Sequence, residues 1–211
     1  MTNHNIRQTL LIFAALLLIL IVSGCALIGT NPEINRAVDQ IVAPTSEARD
    51  NAESTLLRLG SDSIPALLRT IQTAPPRKRG KAISILAQIK DEKVCEEFER
   101  LLIKSKLELS FVDREIMVNT LGKNGGKKYL PLFKSMMLTE PHEKVKCTLA
   151  SQLSRLGDES GTEYLTEYWL NELETATHKK QAIDAIKALE ELHGQGFGRD
   201  AEQWREWLKK K

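Results

Sequence analysis

The chain has 211 residues, 42% of them hydrophobic and 27% charged, a mix that packs one ordinary core and excludes the polar, proline-rich character of a disordered segment. Thirty basic residues stand against 28 acidic ones. This near balance argues against a nucleic-acid binder, whose domain or binding face is strongly basic.

At the N-terminus, thirteen consecutive apolar residues from Leu10 to Val22 follow a short region holding Arg7 and precede small residues, the layout of an export signal. The "VSGC" that closes the run, Val22 to Cys25, resembles the lipobox of bacterial lipoproteins: an aliphatic residue, a small one, glycine, then cysteine. The resemblance implies a signal peptide over residues 1–24, cleavage before Cys25, and a diacylglycerol on its thiol, so that the mature chain meets the membrane through lipidated Cys25. Ala26, standing where aspartate would signal retention, implies passage to the outer membrane facing the periplasm. Two or three acyl chains bury tens of methylenes at about 0.8 kcal/mol each, which anchors durably where a single chain would be marginal. The alternative is an uncleaved helix, since Leu10 to Ile28 is 19 residues without a charge, just long enough to span a bilayer core. Residues 25–45, containing the turn formers of "GTNPEINRAVDQIVAPTS", read as a lipidated tether.

Past Ser46 the alternation of strands is missing and an i, i+3, i+4, i+7 apolar pattern recurs. Ala52, Thr55, Leu56 and Leu59 form the first set, and Ala82, Ile85, Leu86 and Ile89 the second. Arg114, Met117, Val118 and Leu121 form the third, Leu149, Gln152, Leu153 and Leu156 the fourth, and Ala182, Ala185, Ile186 and Leu189 the fifth. The closing positions are 30, 32, 35 and 33 residues apart, and an all-helical period of that size is the signature of an α-solenoid. Gly60, Gly122 and Gly157 are expected to end the first helices, with Asp62, Asp91, Asn124 and Asp158 as N-caps of second helices. Those second helices contain "SIPALLRTIQ", "KVCEEFERLLIK", "KKYLPLFKSMML" and "GTEYLTEYWLNEL", with Pro65 and Pro131 tolerated near a first turn. The basic run "RKRGK", Arg77 to Lys81, reads as a solvated face at a helix start, the alternative being a patch for anionic lipid or an acidic partner.

The unit "EKVKCTLASQLSRLGDESGTEYL" resembles a HEAT repeat, with Val145 and Lys146 as its valine–basic pair and Leu153, Leu156, Gly157 and Asp158 closing the first helix. A basic residue three positions before each set, Arg49, Arg79, Lys146 and Lys179, matches the recurring basic residue of that family; in the third unit Phe111 stands there, and the phase of that unit is open to a shift of a few residues. The fold expected is therefore all-α: an α-solenoid, a HEAT-like superhelix of about five helix pairs over residues 46–211. Its close, "GQGFGRDAEQWREWLKKK", resembles the terminal segment of bacterial HEAT-like proteins and supplies a capping helix. Trp204 and Trp207, at i, i+3, are expected to seal the exposed end of the last unit, the alternative being an aromatic docking platform.

Signals for chemistry are weak. His4, His142, His178 and His193 have no i+3 or i+4 metal-binding partner, "GKNGGKK" and "GQGFG" match no phosphate loop, and no cofactor is implied. Cys95 and Cys147 fall on non-adjacent units and read as separate buried thiols without a disulfide. The leading expectation is a noncatalytic scaffold that holds another protein at the envelope, with no nucleic acid and no evident small-molecule substrate. In HEAT proteins the second helices line the concave side; carried onto this chain, that implies Arg69, Lys104, Lys134, Tyr168 and Trp169 as candidate protein-binding residues, with Trp169 half-buried. Two other readings stand beside it: a HEAT-like enzyme or enzyme accessory of lyase or protein-modifying type, for which Cys147 and His142 are the nearest reactive pair, and a structural or assembly spacer with no exposed groove.

Overall fold

The computed structural model describes residues 31–104 and 108–210, and among these residues every regular element is a helix. In chain order they are α1 (Pro32–Gln40), α2 (Ser46–Leu59), α3 (Ile64–Thr73), α4 (Pro76–Leu86), α5 (Glu92–Lys104), α6 (Phe111–Gly125), α7 (Leu130–Thr139), α8 (Glu143–Arg155), α9 (Glu159–Thr175), α10 (Lys179–His193) and α11 (Ala201–Leu208). Short 3₁₀ turns, Gly60–Ser63 and Gly126–Tyr129, lead into α3 and α7. None of the described helices is long and apolar enough to cross a membrane. The signal peptide, the lipidation site at Cys25 and the alternative spanning helix all lie outside the described residues.

The tether expected as far as residue 45 ends early. Asn31 caps α1 by accepting the Glu33 N–H at 2.9 Å, and Pro32 sits in the first turn, where a missing N–H costs little. Ile34, Ala37, Val38 and Ile41 then follow at helical spacing and are buried against α2 and α3. The polar residues that give this stretch a linker-like composition, among them Glu33, Arg36, Asp39 and Gln40, are simply its exposed face.

The five periodic sets fall on α2, α4, α6, α8 and α10, with Ile89 and Leu156 just past the ends of α4 and α8, and most of their members are buried. Pro65 and Pro131 occupy the first turns of α3 and α7. Gly60 and Gly157 take positive φ after their helices, at 53° and 87°. Gly122 does not: it lies inside α6, which runs on to Gly125, and Gly126 makes the turn at φ 62°. Asp91 and Asp158 cap α5 and α9 through backbone N–H groups two residues on, whereas Asp62 sits in a 3₁₀ turn and Asn124 inside α6.

The third unit is shifted by three residues. Arg49, Arg79 and Lys146 are each the fourth residue of their helix, and so is Arg114 in α6. Arg49 donates back to the carbonyls of Ala43 and Pro44 at 2.7 and 2.9 Å, and Arg114 donates back to Leu109 at 2.7 Å. The two guanidiniums close equivalent entry loops, before α2 and before α6, so Arg114 takes the place given to Phe111. The basic run opens α4 as a paired face: Lys78 reaches Asp39 at 3.1 Å, Lys81 reaches Glu53 at 2.5 Å, and Arg79 donates to the Glu108 carbonyl at 2.7 Å.

Helices in substantial contact are always neighbours or next-but-one in the chain. Among the first helices of the pairs, α2 touches α4, α4 touches α6 and α6 touches α8, yet α8 and α10 are not in comparable contact; both lean on α9 instead. The buried core divides at the same place. One cluster runs from Ile34 to Leu153, and a second joins Leu170, Leu173, Ala182, Ala185, Leu189 and Trp204.

Candidate functional site

Where α8 and α10 part, a cleft of about 530 Å³ opens over α9. Tyr168 and Trp169 of α9 form part of its lining, with Cys147 of α8 beside them, and Glu115 of α6, Lys144 of α8 and Glu191 of α10 among its charged lining residues. The two aromatic rings meet edge to face with centroids 5.0 Å apart, a favoured arrangement that holds both in place. Both are half-buried.

This lining follows from the helical phase. On α8, Lys144, Cys147, Thr148 and Ser151 recur at i, i+3, i+4, i+7, and all four line the cleft. The neighbouring stripe, Val145, Leu149 and Leu153, is buried in the main core. The chain thus gives α8 one apolar stripe for packing and one small, polar stripe that faces the gap.

Burial and three carboxylates act on the thiol of the cleft. Burial, and next the nearby Glu143 carboxylate, push the Cys147 thiol up to about 11; Glu172 and Glu115 act the same way, and only the Tyr168 hydroxyl, within hydrogen-bond reach of the sulfur, opposes them. Tyr168 is raised too, first by burial and then by Cys147, Glu172 and Glu143. Among the described residues neither Glu115 nor Glu191 belongs to an ion pair. Glu115 accepts only the Thr148 hydroxyl, at 3.3 Å. Lys144, the one cation among the described lining residues, has its ammonium 5.8 Å from the Phe111 ring centroid.

Of the five candidate binding residues, the cleft gathers Tyr168 and Trp169. Arg69 is exposed on α3, and Lys134 on α7 pairs with Asp158 at 2.6 Å. Lys104 ends α5, and its side chain lies outside the described residues. Trp169 is half-buried as expected, packed against the C-terminal core cluster. The cysteines are free, Cys95 buried and Cys147 only half-buried, which corrects the expectation of two buried thiols. His142 does not join Cys147 in the cleft lining; its ring stacks on Phe111 with centroids 4.0 Å apart. Trp204 is fully buried, donates its indole N–H to the Gly198 carbonyl at 3.2 Å, and meets Phe197 edge to face. Among the described residues no group of acidic, histidine and cysteine side chains is arranged to hold a metal ion.

No protein-family model matches the chain, and comparison with curated proteins also gives no match.

Proposed function

We propose that this protein is an envelope-anchored lipoprotein whose helix pairs stack as a HEAT-type α-solenoid and serve as a noncatalytic scaffold for another protein. The observation that carries the reading is the serial packing, in which helices in substantial contact are neighbours or next-but-one in the chain. A basic residue at the fourth position of α2, α4, α6 and α8 supports a common repeating unit. Stacked units of this kind present long surfaces for protein recognition. A thiol pushed up to about 11 is a poor nucleophile at neutral pH, which weighs against the enzyme reading at Cys147. The open cleft beside it weighs against a featureless spacer.

On the lipoprotein reading, only residues 26–31 separate the lipid-bearing cysteine from α1. Six residues extend at most about 20 Å, so the folded body is held close to the lipid surface and its partner is met there. Two experiments test the proposal. Incorporation of an alkyne fatty acid into the full chain, abolished by Cys25→Ser, checks the anchor. A photo-crosslinking residue placed at exposed Ser151 in the cleft, or at Arg69 on the second helices, should trap one discrete envelope protein, while the same residue at Asp50 should not. Equal trapping from all three positions, or none from any, would refute the scaffold.

A further inference from the structure

We infer that the cleft between α8 and α10 receives an arginine or lysine side chain presented by a partner polypeptide. The inference rests on the scaffold reading and names the chemistry of what is held. Three features combine. First, the cleft opens where α8 and α10 are not in substantial contact, and the half-buried Tyr168 and Trp169 keep aromatic surface in its lining. Its volume of about 530 Å³ lies within the range of about 300–1,000 Å³ usual for ligand sites. Second, an indole face attracts a cation within about 6 Å, and a guanidinium both stacks on it and donates in a planar fork. Third, Glu115 and Glu191 line the same cleft without ion-pair partners among the described residues, and Glu143 and Glu172 lie close enough to act on Cys147. Among the described residues of the lining Lys144 is the one cation, and it stands near Phe111, on α6.

A basic side chain satisfies these features together. Its methylenes cover the exposed aromatic surface, its charge meets unpaired carboxylates, and the open mouth of the cleft leaves room for the backbone that carries it. An acidic segment would face like charge, and a purely apolar one would leave the two lining carboxylates without an ion-pair partner.

The test uses the full chain in detergent and four fluorescein-labelled hexapeptides, which differ only in a central arginine, lysine, alanine or glutamate placed beside a leucine. Anisotropy should rank arginine first, lysine second, and glutamate at least about tenfold weaker than arginine, as like-charge placement demands. Glu191→Lys and Glu115→Lys should each weaken the arginine peptide about tenfold, while Asp50→Lys, the same charge reversal at an exposed residue outside the cleft lining, leaves it unchanged. Trp169→Ala should weaken it as strongly; Trp169→Phe, which keeps the ring and the packing, should weaken it less. Equal binding of the glutamate peptide, or arginine binding insensitive to the Glu191 and Glu115 variants, overturns the inference. Loss of peptide binding alongside a discrete crosslink from Ser151 would sink the basic side chain and spare the scaffold; failure of both sinks both.

Discussion

Arg114 holds Glu140 through two parallel hydrogen bonds, Nε and Nη2 to the two carboxylate oxygens at 2.9 and 2.7 Å, across 26 residues of chain. The carboxylate side chain is only 4% exposed and also accepts the His142 backbone N–H at 2.9 Å. The pair ties the start of α6 to the loop that opens α8, so it locks one unit onto the next. Replacing Arg114 with methionine keeps the packing volume but strands a buried charge, and should cost about 3 kcal/mol. Burial alone would raise the Glu140 carboxyl, but Arg114 and the His142 N–H outweigh it and hold it below its ordinary value of 4.5. A lowered carboxyl contributes stability that is fully present above its unfolded pKa and is lost as pH falls through the folded one. Urea unfolding of the parent should therefore weaken as pH drops below 4.5, and the Arg114→Met variant should show a flatter acid limb. Parallel acid limbs would show that the pair does not govern this region.

Trp204 is the largest fully buried side chain and joins α9, α10 and the closing helix in one small cluster. Trp204→Ala should cost about 3–5 kcal/mol through the cavity it leaves. Since that cluster is separate from the one spanning α1 to α8, the loss should be local. Hydrogen exchange should show α10 and α11 opening faster while α2, α4 and α6 keep their protection, as expected when units are coupled only to their neighbours. Uniform loss of protection along the chain would contradict both the local cluster and the serial packing.

The sequence carries most of the helical plan because each first helix must bury one stripe, and a stripe of period 3.6 is visible in residues alone. Ile34, Ala37, Val38 and Ile41 show the same stripe, but the surrounding turn formers disguise it; Asn31–Pro32 is a helix start as readily as a linker, and only packing against α2 and α3 decides between them. Arg114 breaks the apolar pattern of its set because the guanidinium serves the entry loop, not the core. The cleft is a different kind of feature. It opens where α8 and α10 are not in substantial contact, a relation among three helices with no local pattern of its own. Lys144, Cys147, Thr148 and Ser151 are its one legible trace, a small polar stripe where a stacked helix would need apolar side chains.

Gly161 of α9 lies tight against the backbone of α8. A Cβ there would lie 2.4 Å from the Ala150 carbonyl oxygen and 2.5 Å from the Ser154 nitrogen, both backbone atoms that cannot rotate away. Gly161→Ala should therefore push the two helices apart and destabilise by about 1–3 kcal/mol, despite the better helix propensity of alanine. Gly60→Ala offers a contrast, since nothing lies within 4 Å and only its φ of 53° is strained. Thermal melts that rank Gly161→Ala as no worse than the parent would show that the crossing relaxes freely.

Cys147 supplies a test of the electrostatics on which the cleft depends. With its thiol pushed up to about 11, about one molecule in a thousand carries the reactive thiolate at pH 8. Alkylation by iodoacetamide, followed by mass spectrometry of the native protein, should be slow at pH 8 and rise about tenfold per pH unit up to pH 10. Cys95, buried in the main core and raised as well, should be slower still. Glu143→Gln removes the largest carboxylate influence on the sulfur and should speed alkylation of Cys147 at pH 8, whereas Glu174→Gln, whose carboxylate pairs with Arg205 at 2.7 Å, should not. A Glu143→Gln variant alkylated no faster than the parent at pH 8 would mean that burial alone raises the thiol, and the case for a basic partner would lose this electrostatic support.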